Sequence, residues 1–138
     1  KPFVMLNPPS AYLDTVTERH IHFLRDLLWS MPNIELTDSN VEQIDKQLFR
    51  VSVKLVNSGL LPTGTGTGDK LRYMPNLKTE IVLGDKQKLV SGKKHYLRGS
   101  LAPGESEEYS WLVQGQGNIT IQAGSPAAGK ATFNAQLK

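Results

Sequence analysis

The chain of 138 residues contains no cysteine. That absence excludes disulfide bonds, thiolate catalysis and zinc sites built on cysteine. It leaves the cellular compartment open, because many exported bacterial proteins also lack cysteine. Long apolar runs are missing as well, since no stretch approaches the roughly 18 consecutive apolar residues of a membrane-spanning helix. The sequence therefore predicts no membrane span.

Concentrated positive charge is missing too. The net charge is +3 and the isoelectric point about 9.2, but the lysines are scattered and only Lys93 and Lys94 form a local pair. Nucleic-acid-binding domains present a basic face, so we predict no nucleic-acid partner. The chain is long enough to form one domain with a hydrophobic core of its own. The chain shows no signal peptide and starts at Lys1 without an initiator Met, so we expect it to be a piece of something longer.

The stretch PTGTGTGDK, residues 62–70, is similar to a phosphate-binding loop in composition alone. Such a loop needs two glycines separated by four residues, then lysine and a hydroxyl residue, with a helix directly after it. Here Gly64, Gly66 and Gly68 fall on alternate positions, and Asp69 separates the last of them from Lys70. We therefore predict no nucleotide site, and instead a long mobile loop over residues 63–76.

One helix is predicted, over residues 14–30. Asp14 or Thr15 is expected to cap it, and Thr15 and Glu18 have the spacing of a capping box. Pro32 should end the helix, because a residue before proline leaves helical geometry. Residues 1–13 are predicted to be an extended segment that lies against something else. The apolar residues of the helix form one stripe at three- and four-residue steps: Val16, His20, Phe23, Leu24, Leu27, Leu28 and Met31.

After Pro32 the apolar period changes to two, which is typical of strands. No helical pattern separates the strand segments, so parallel βαβ units are excluded. The pattern predicts a mainly β fold, an antiparallel immunoglobulin-like or fibronectin III-like β-sandwich of seven or eight strands preceded by one N-terminal α-helix. Residues 1–32 would hold the extended segment and junction helix, and residues 33–138 the sandwich. The strand segments are NIELTD, LFRVSVKLVNSG, LKTEIVLGD, KQKLVSG, KHYLRGSL, EEYSWLVQG, GNITIQAGS and GKATFNAQLK.

The histidines invite a metal-binding hypothesis that their spacing does not support. His20 and His22 are two residues apart, so they diverge on a helix, whereas helical metal ligands sit four apart. Glu18 and His22 share a face, but two ligands do not make a stable zinc site. His95 lies far off in a β region. We predict that one helix histidine lies at the edge of the apolar stripe, that the other is exposed, and that the segment holds no metal.

Catalytic patterns are weak. There is no G-x-S-x-G elbow, and Ser58 and Ser91 each precede a glycine in what we interpret as an ordinary turn. Glu107 and Glu108 are adjacent on a strand and should point to opposite faces as solvated charges. We therefore predict no catalytic residue, no cofactor-binding residue and no enzymatic activity for this segment.

The two tryptophans could be sugar-stacking platforms, but a different role is favoured for each. Trp111 alternates in phase with Tyr109 and Val113, so we predict that it belongs to the core. Trp29 lies beside the helix stripe and is expected to pack against the sandwich.

Four stretches follow one another in a familiar order: FLRDLLWSMPNIEL, LFRVSVKLVNSGLLPT, GSLAPGESEEYSWLVQG and ITIQAGSPAAGKATFNAQL. Over residues 12–137 this order resembles the region downstream of the catalytic domain in bacterial secreted zinc carboxypeptidases, the carboxypeptidase A-like metallopeptidases, where a final helix leads into a β-sandwich. The matching positions are strand and turn residues: Asn57, Gly59, Leu61, Pro62 and Thr63, then Trp111, Leu112, Val113 and Gly115.

The resemblance implies a non-catalytic C-terminal accessory module, extracellular or periplasmic, that supports or positions an upstream catalytic domain of the same chain. The family's zinc site uses a His-x-x-Glu pair, and no histidine here has Glu three residues later. Zinc is therefore expected only in a parent catalytic domain. The alternative is a ligand-binding module for a glycan, a peptide or a cell-surface or extracellular protein, with the loop at 63–76 as a recognition element.

Overall fold

The computed structural model describes residues 9–71 and 76–138. A 3-10 turn, Ser10–Tyr12, leads into the helix α1, Leu13–Ser30, and a short helix α2 spans Gly66–Leu71. Eight strands make up most of the rest: β1 Ile34–Asp45, β2 Leu48–Asn57, β3 Leu77–Leu83, β4 Lys88–Ser91, β5 His95–Arg98, β6 Ser106–Gln114, β7 Gly117–Ser125 and β8 Gly129–Leu137. Neither described helix is long and apolar enough to cross a membrane.

The strands form two antiparallel sheets of four strands each. One has the order β1-β2-β6-β4 and the other β5-β3-β7-β8. The predicted fold class, an immunoglobulin-like β-sandwich after one N-terminal helix, is confirmed. Its core lies between the sheets because alternate side chains of a strand point to one face. The fully buried members include Val51, Val53 and Leu55 of β2, Ile81 of β3, and Ile121 of β7.

The first strand is longer than predicted. β1 runs to Asp45, whereas the pattern indicated only the NIELTD segment. It is an edge strand whose register with β2 shifts between Thr37 and Asn40 and again between Gln43 and Asp45, and Asp38 has a φ of 47°. These irregularities interrupt the alternation of apolar and polar residues, so the period-two signal is lost in the second half.

The helix ends as predicted but begins differently. Met31, before Pro32, has a ψ of 152°, which ends the helix. At the other end Tyr12 is the N-cap residue and no side chain caps the helix, so the capping prediction for Asp14 and Thr15 was wrong. The preceding 3-10 turn, closed by the Tyr12 N–H to the Pro9 carbonyl at 2.9 Å, extends the helical backbone upstream. That turn also differs from the predicted extended segment, whose residues 1–8 lie outside the described residues.

A six-residue helix, α2, replaces part of the predicted loop. The Thr65 hydroxyl accepts a hydrogen bond from the Gly68 N–H at 3.0 Å, and the Thr65 carbonyl accepts one from the Asp69 N–H at 3.0 Å. The Asp69 carboxylate then accepts hydrogen bonds from the Ser100 N–H at 3.1 Å and from the Ser100 hydroxyl. Because Asp69 and Ser100 are far apart in the sequence, the local pattern around residues 63–76 could not predict this contact. Residues 72–75 of the predicted loop lie outside the described residues.

An aromatic cluster fills one end of the core. Tyr109 lies 4.8 Å from Tyr96 and 6.1 Å from Trp111 between ring centroids. The Trp111 indole N–H donates to the Lys93 carbonyl at 2.8 Å. Because Trp111 is only 1% exposed, its predicted core role is confirmed.

A charged group borders the cluster. The Arg98 guanidinium pairs with the carboxylates of Glu105 and Glu107, and Glu107 also accepts a hydrogen bond from the Tyr109 hydroxyl at 3.0 Å. The prediction of a solvated charge was therefore wrong for Glu107, whereas Glu108 is exposed. Burial raises the pKa of Tyr109 to about 12, and its hydrogen bond to Glu107 acts in the same direction.

We expect Trp111→Ala to lower the free energy of unfolding by about 3–5 kcal/mol, because it empties a packed site. Trp29→Ala is the matched control, since Trp29 is 73% exposed and its removal should change stability little. Urea unfolding followed by circular dichroism measures both. Equal losses for the two variants would contradict the assigned core.

The raised pKa of Tyr109 should make stability fall in alkali. An unfolded tyrosine ionises near pH 10, roughly two units below the folded one, so the stabilisation is complete below about pH 10. It is lost as the pH rises through about 12. Tyr109→Phe should flatten this part of the stability profile in urea unfolding, whereas Tyr12→Phe, at an exposed position, should not. An unchanged alkaline slope in Tyr109→Phe would refute the assignment.

Candidate interaction surface at the helix junction

The helix α1 exposes its apolar stripe. None of its residues is buried, and its large apolar side chains range from 45% exposed at Leu27 to 73% at Trp29. The expectation that Trp29 packs against the sandwich was wrong. Its ring instead lies under the Arg25 guanidinium, 4.9 Å from the ring centroid, in a cation–π contact. The exposed large apolar residues of the helix are Leu13, Ile21, Phe23, Leu24, Leu27, Leu28 and Trp29.

The side chain of Asn57 joins the helix end to the sandwich. It is 0% exposed and makes four hydrogen bonds. Its Oδ1 accepts from the Asn33 N–H at 3.2 Å and the Gly59 N–H at 3.1 Å. Its Nδ2 donates to the Leu61 carbonyl at 2.8 Å and the Leu101 carbonyl at 3.1 Å. One amide thus binds three connections: the segment after α1, the turn after β2 and the segment before β6.

Close backbone packing reinforces this junction. A Cβ added at Gly59 would lie 2.3 Å from the Met31 carbonyl oxygen and 2.6 Å from the Asn33 nitrogen. Since real Cβ atoms do not approach backbone so closely, only glycine fits at this position. Ser58 adds a hydrogen bond from its N–H to the Asn33 carbonyl at 2.8 Å.

An apolar groove of about 280 Å³ lies directly beside the end of α1. Leu60 and Leu61, on the turn after β2, are exposed at one side of the junction. We call this groove and the stripe on α1 the junction surface. It consists of Leu13, Ile21, Phe23, Leu24, Leu27 and Leu28 on one face of the helix, Leu60, and the residues that line the groove: Met31, Pro32, Leu61, Pro62, Thr63, Gly64, Thr65 and Ala127.

The residues considered for metal binding are not brought together. His20 and His22 are both exposed on α1. His95 lies on β5, with its Nδ1 3.1 Å from a Glu80 carboxylate oxygen. Within residues 9–71 and 76–138, no group of three acidic, histidine or cysteine side chains is placed to hold a metal ion. The predicted lack of a cofactor stays a prediction.

One of the serines considered for catalysis is hydrogen-bonded to a carboxylate, since the Ser58 hydroxyl donates to a Glu35 oxygen at 2.6 Å. Ser58 contacts Asn33 and Glu35 at the junction, and Ser91 ends β4 rather than lying in a turn. Sequence reasoning missed the role of Asn57, because an asparagine before Ser-Gly indicates a turn and gives no sign of burial. The signal was the following Leu-Leu-Pro, three apolar residues where a turn should be polar.

A family model described as a domain of unknown function, DUF8731, matches residues 33–136. The chain belongs to that family. No curated protein matches the sequence.

Several solved structures are similar in fold. The CARDB domain of the PF1109 protein from Pyrococcus furiosus, in complex with di-metal ions, is 15% identical with a TM-score of 0.42, over 80% of this chain and 91% of that one. A β-glucosidase from Streptomyces venezuelae in complex with D-glucose is 17% identical with a TM-score of 0.34, over 78% of this chain and 15% of that one. β-Glucosidase 3B from Thermotoga neapolitana, in complex with α-D-glucose, is 19% identical with a TM-score of 0.36, over 76% and 16%. The chain therefore spans less than a fifth of either glucosidase, and the likeness concerns the fold alone.

Replacing Asn57 should loosen the junction. Asn57→Asp keeps the size and the acceptor but removes two buried donors, leaving the Leu61 and Leu101 carbonyls unpaired beside a carboxylate. We expect a loss of about 2–4 kcal/mol in urea unfolding, since each orphaned buried group costs roughly 1–3 kcal/mol. Asn118→Asp, at an exposed position, is the control. Comparable losses in both variants would contradict the role given to Asn57.

Proposed function

We propose that this chain is a non-catalytic accessory module that docks through its junction surface onto a neighbouring domain on its N-terminal side. One observation carries the proposal: a helix with a continuous apolar face shows no buried residue, although the sandwich behind it has a complete core. Single exposed apolar residues are ordinary, but a contiguous apolar patch marks an interaction surface.

The position of the helix supports a partner outside the sandwich. The family match begins at residue 33, after α1 has ended, so the helix is not part of the matched domain. An amphipathic helix owes most of its stability in proteins to packing of its apolar face. A neighbouring domain would supply that packing.

The junction supports rigid positioning. The hydrogen bonds of Asn57 and the close contact of Gly59 hold the backbone between α1 and β1, and the groove at Pro32 and Leu61 continues the apolar surface onto the sandwich. A domain that covers both α1 and the groove would be held at a set angle to the sandwich. Positioning of a partner domain is the function that this geometry supports best.

The charges of α1 favour a protein partner over a membrane surface. The other face of the helix carries Asp14, Glu18 and Asp26 against Arg19 and Arg25, which leaves no excess of positive charge. Helices that lie on anionic membranes are rich in Lys and Arg on their polar face. The occupant we propose is therefore an apolar protein surface.

The resemblance noted above suggests what that neighbour is. We propose a zinc carboxypeptidase-like catalytic domain upstream in the same chain, in an extracellular or periplasmic protein, with zinc held by that domain. The support for this identity is the order of sequence motifs alone. Reading the coding sequence upstream of Lys1 tests it: an upstream domain with His-x-x-Glu and a later His is expected, and an unrelated domain would refute it.

Docking is tested in the full-length protein with Leu24→Glu/Leu27→Glu, which places two charges on the exposed stripe. The control Thr15→Glu/His22→Glu places two charges on the opposite face of the same helix. If docking contributes about 3 kcal/mol, backbone amides of α1 should exchange with solvent roughly 100-fold faster in the stripe variant. The control should exchange like the unmodified protein.

Two results would contradict this proposal. Rapid exchange of α1 in the unmodified full-length protein would show that nothing covers the helix. Self-association of the 138-residue chain in sedimentation equilibrium, abolished by the stripe variant, would show that the surface pairs two copies instead.

A ligand-binding function is the second candidate, and one observation favours it: a groove on the outer face of the β5-β3-β7-β8 sheet, which we call the outer groove, is lined by Lys78, Glu80 and Lys130.

A further inference from the structure

The outer groove lies at one end of that outer face and has a volume of about 460 Å³. The register places Lys78 of β3 beside Gly124 of β7, and Gly124 beside Lys130 of β8. Gly124 has no side chain, so it leaves a notch between the two lysines. With two strand spacings between them, their Cα atoms lie roughly 10 Å apart. The volume is within the range of small-molecule sites.

Gly124 also resists substitution. A Cβ built there would lie 2.9 Å from the Gly129 carbonyl oxygen and 3.4 Å from the Lys130 Cα. The Gly129 carbonyl oxygen therefore flanks the notch, and a side chain at position 124 would clash with it.

The charge at the notch is positive. Lys78 pairs with Glu80 on the same strand, with its Nζ 2.6 Å from the carboxylate, and His95 lies 3.1 Å from the same oxygen. The hydrogen bond from Lys78 holds the pKa of Glu80 below its usual value, so this carboxylate stays ionised. Lys130, which is exposed, makes no ion pair with any described residue. The two lysines carry one more unit of charge than the Glu80 carboxylate balances, so a second negative group would be favourable here.

Beyond the notch, the outward-facing residues of β7 and β8 are polar and uncharged. Successive cross-strand pairs on β7 and β8 join Gln122 to Thr132, Thr120 to Asn134 and Asn118 to Gln136. The Thr120 hydroxyl and the Asn134 amide oxygen are 2.8 Å apart. Amides and hydroxyls in such a row can donate and accept hydrogen bonds, which is what a chain of sugar hydroxyls requires.

We propose that this face binds an acidic oligosaccharide, with a sugar carboxylate seated at the notch between Lys78 and Lys130 and the sugar hydroxyls along the polar row of β7 and β8. A neutral glycan would leave the positive notch without a partner. A simple anion would use the notch but not the row. The inference deepens the ligand-binding candidate and does not depend on docking at the junction surface, since α1 contributes nothing to this groove.

The test is titration of the ¹⁵N-labelled chain with trigalacturonate, followed by the backbone amide shifts. Maltotriose, a neutral trisaccharide, and inorganic phosphate are the comparison ligands. We expect trigalacturonate to shift the amides of Gln122, Gly124 and Lys130. It should bind at least about tenfold more tightly than maltotriose, which lacks the charge-assisted hydrogen bond, and about tenfold more tightly than phosphate, which lacks the hydrogen bonds to the row.

Lys130→Glu should weaken trigalacturonate binding by about tenfold or more. Lys88→Glu makes the same charge change on the opposite sheet and should leave binding unchanged. Gln122→Ala should weaken trigalacturonate but not phosphate. The Leu24→Glu/Leu27→Glu variant should bind as the unmodified chain does, which separates this site from docking.

Three results would overturn the proposal. One is that trigalacturonate shifts none of these amides at millimolar concentration. Another is that phosphate binds as tightly as the acidic trisaccharide, which would make the notch an anion site only. The third is equal weakening by Lys130→Glu and Lys88→Glu, which would show that net charge alone matters.

Discussion

The four hydrogen bonds of the Asn57 side chain hold together the end of the molecule where the helix joins the sandwich. The side chain is fully buried, and both its donor and its acceptor atoms are used twice. Burying an amide is unfavourable unless its hydrogen bonds are made inside the protein. Because the four partners lie on three separate connections, satisfying this one side chain sets the backbone course of all three. The path of the chain from α1 into β1 follows from that constraint.

The sandwich and the helix are stabilised by different means. The sandwich has its own core, to which both sheets contribute. The helix has an apolar face, no buried residue, and a C-terminus held by the Asn57 network. Eighteen residues with this composition gain little stability from helix propensity alone. A helix placed firmly at its end but uncovered along its length is suited to receive another protein surface, which is why the junction surface carries the functional proposal.

Sequence patterns predicted the strands well where one face is buried and the other solvated, as in β2 and β6, because burial imposes a period of two. They failed where a distant contact decides the local structure. The second half of β1 was missed because bulges break its alternation, α2 because Asp69 is anchored by Ser100, and the solvation of Glu107 because Arg98 approaches from another strand. The junction motif around Asn57 was noticed as a turn, but only the fold shows that the amide is buried. The polar row of β7 and β8 could not be predicted, because alternation within a strand does not show which residues are neighbours across two strands.

The two proposed sites lie on either side of one turn. Ala127 lines the junction groove, whereas Ser125, Pro126 and Gly129 line the outer groove. The turn between them is held by the Ala128 N–H, which donates to the Ser125 carbonyl at 3.3 Å and lies 3.2 Å from its hydroxyl, while the Ala128 side chain is buried. Because the two grooves use different residues on the two sides of this turn, a protein at one and a saccharide at the other would not compete for the same contacts.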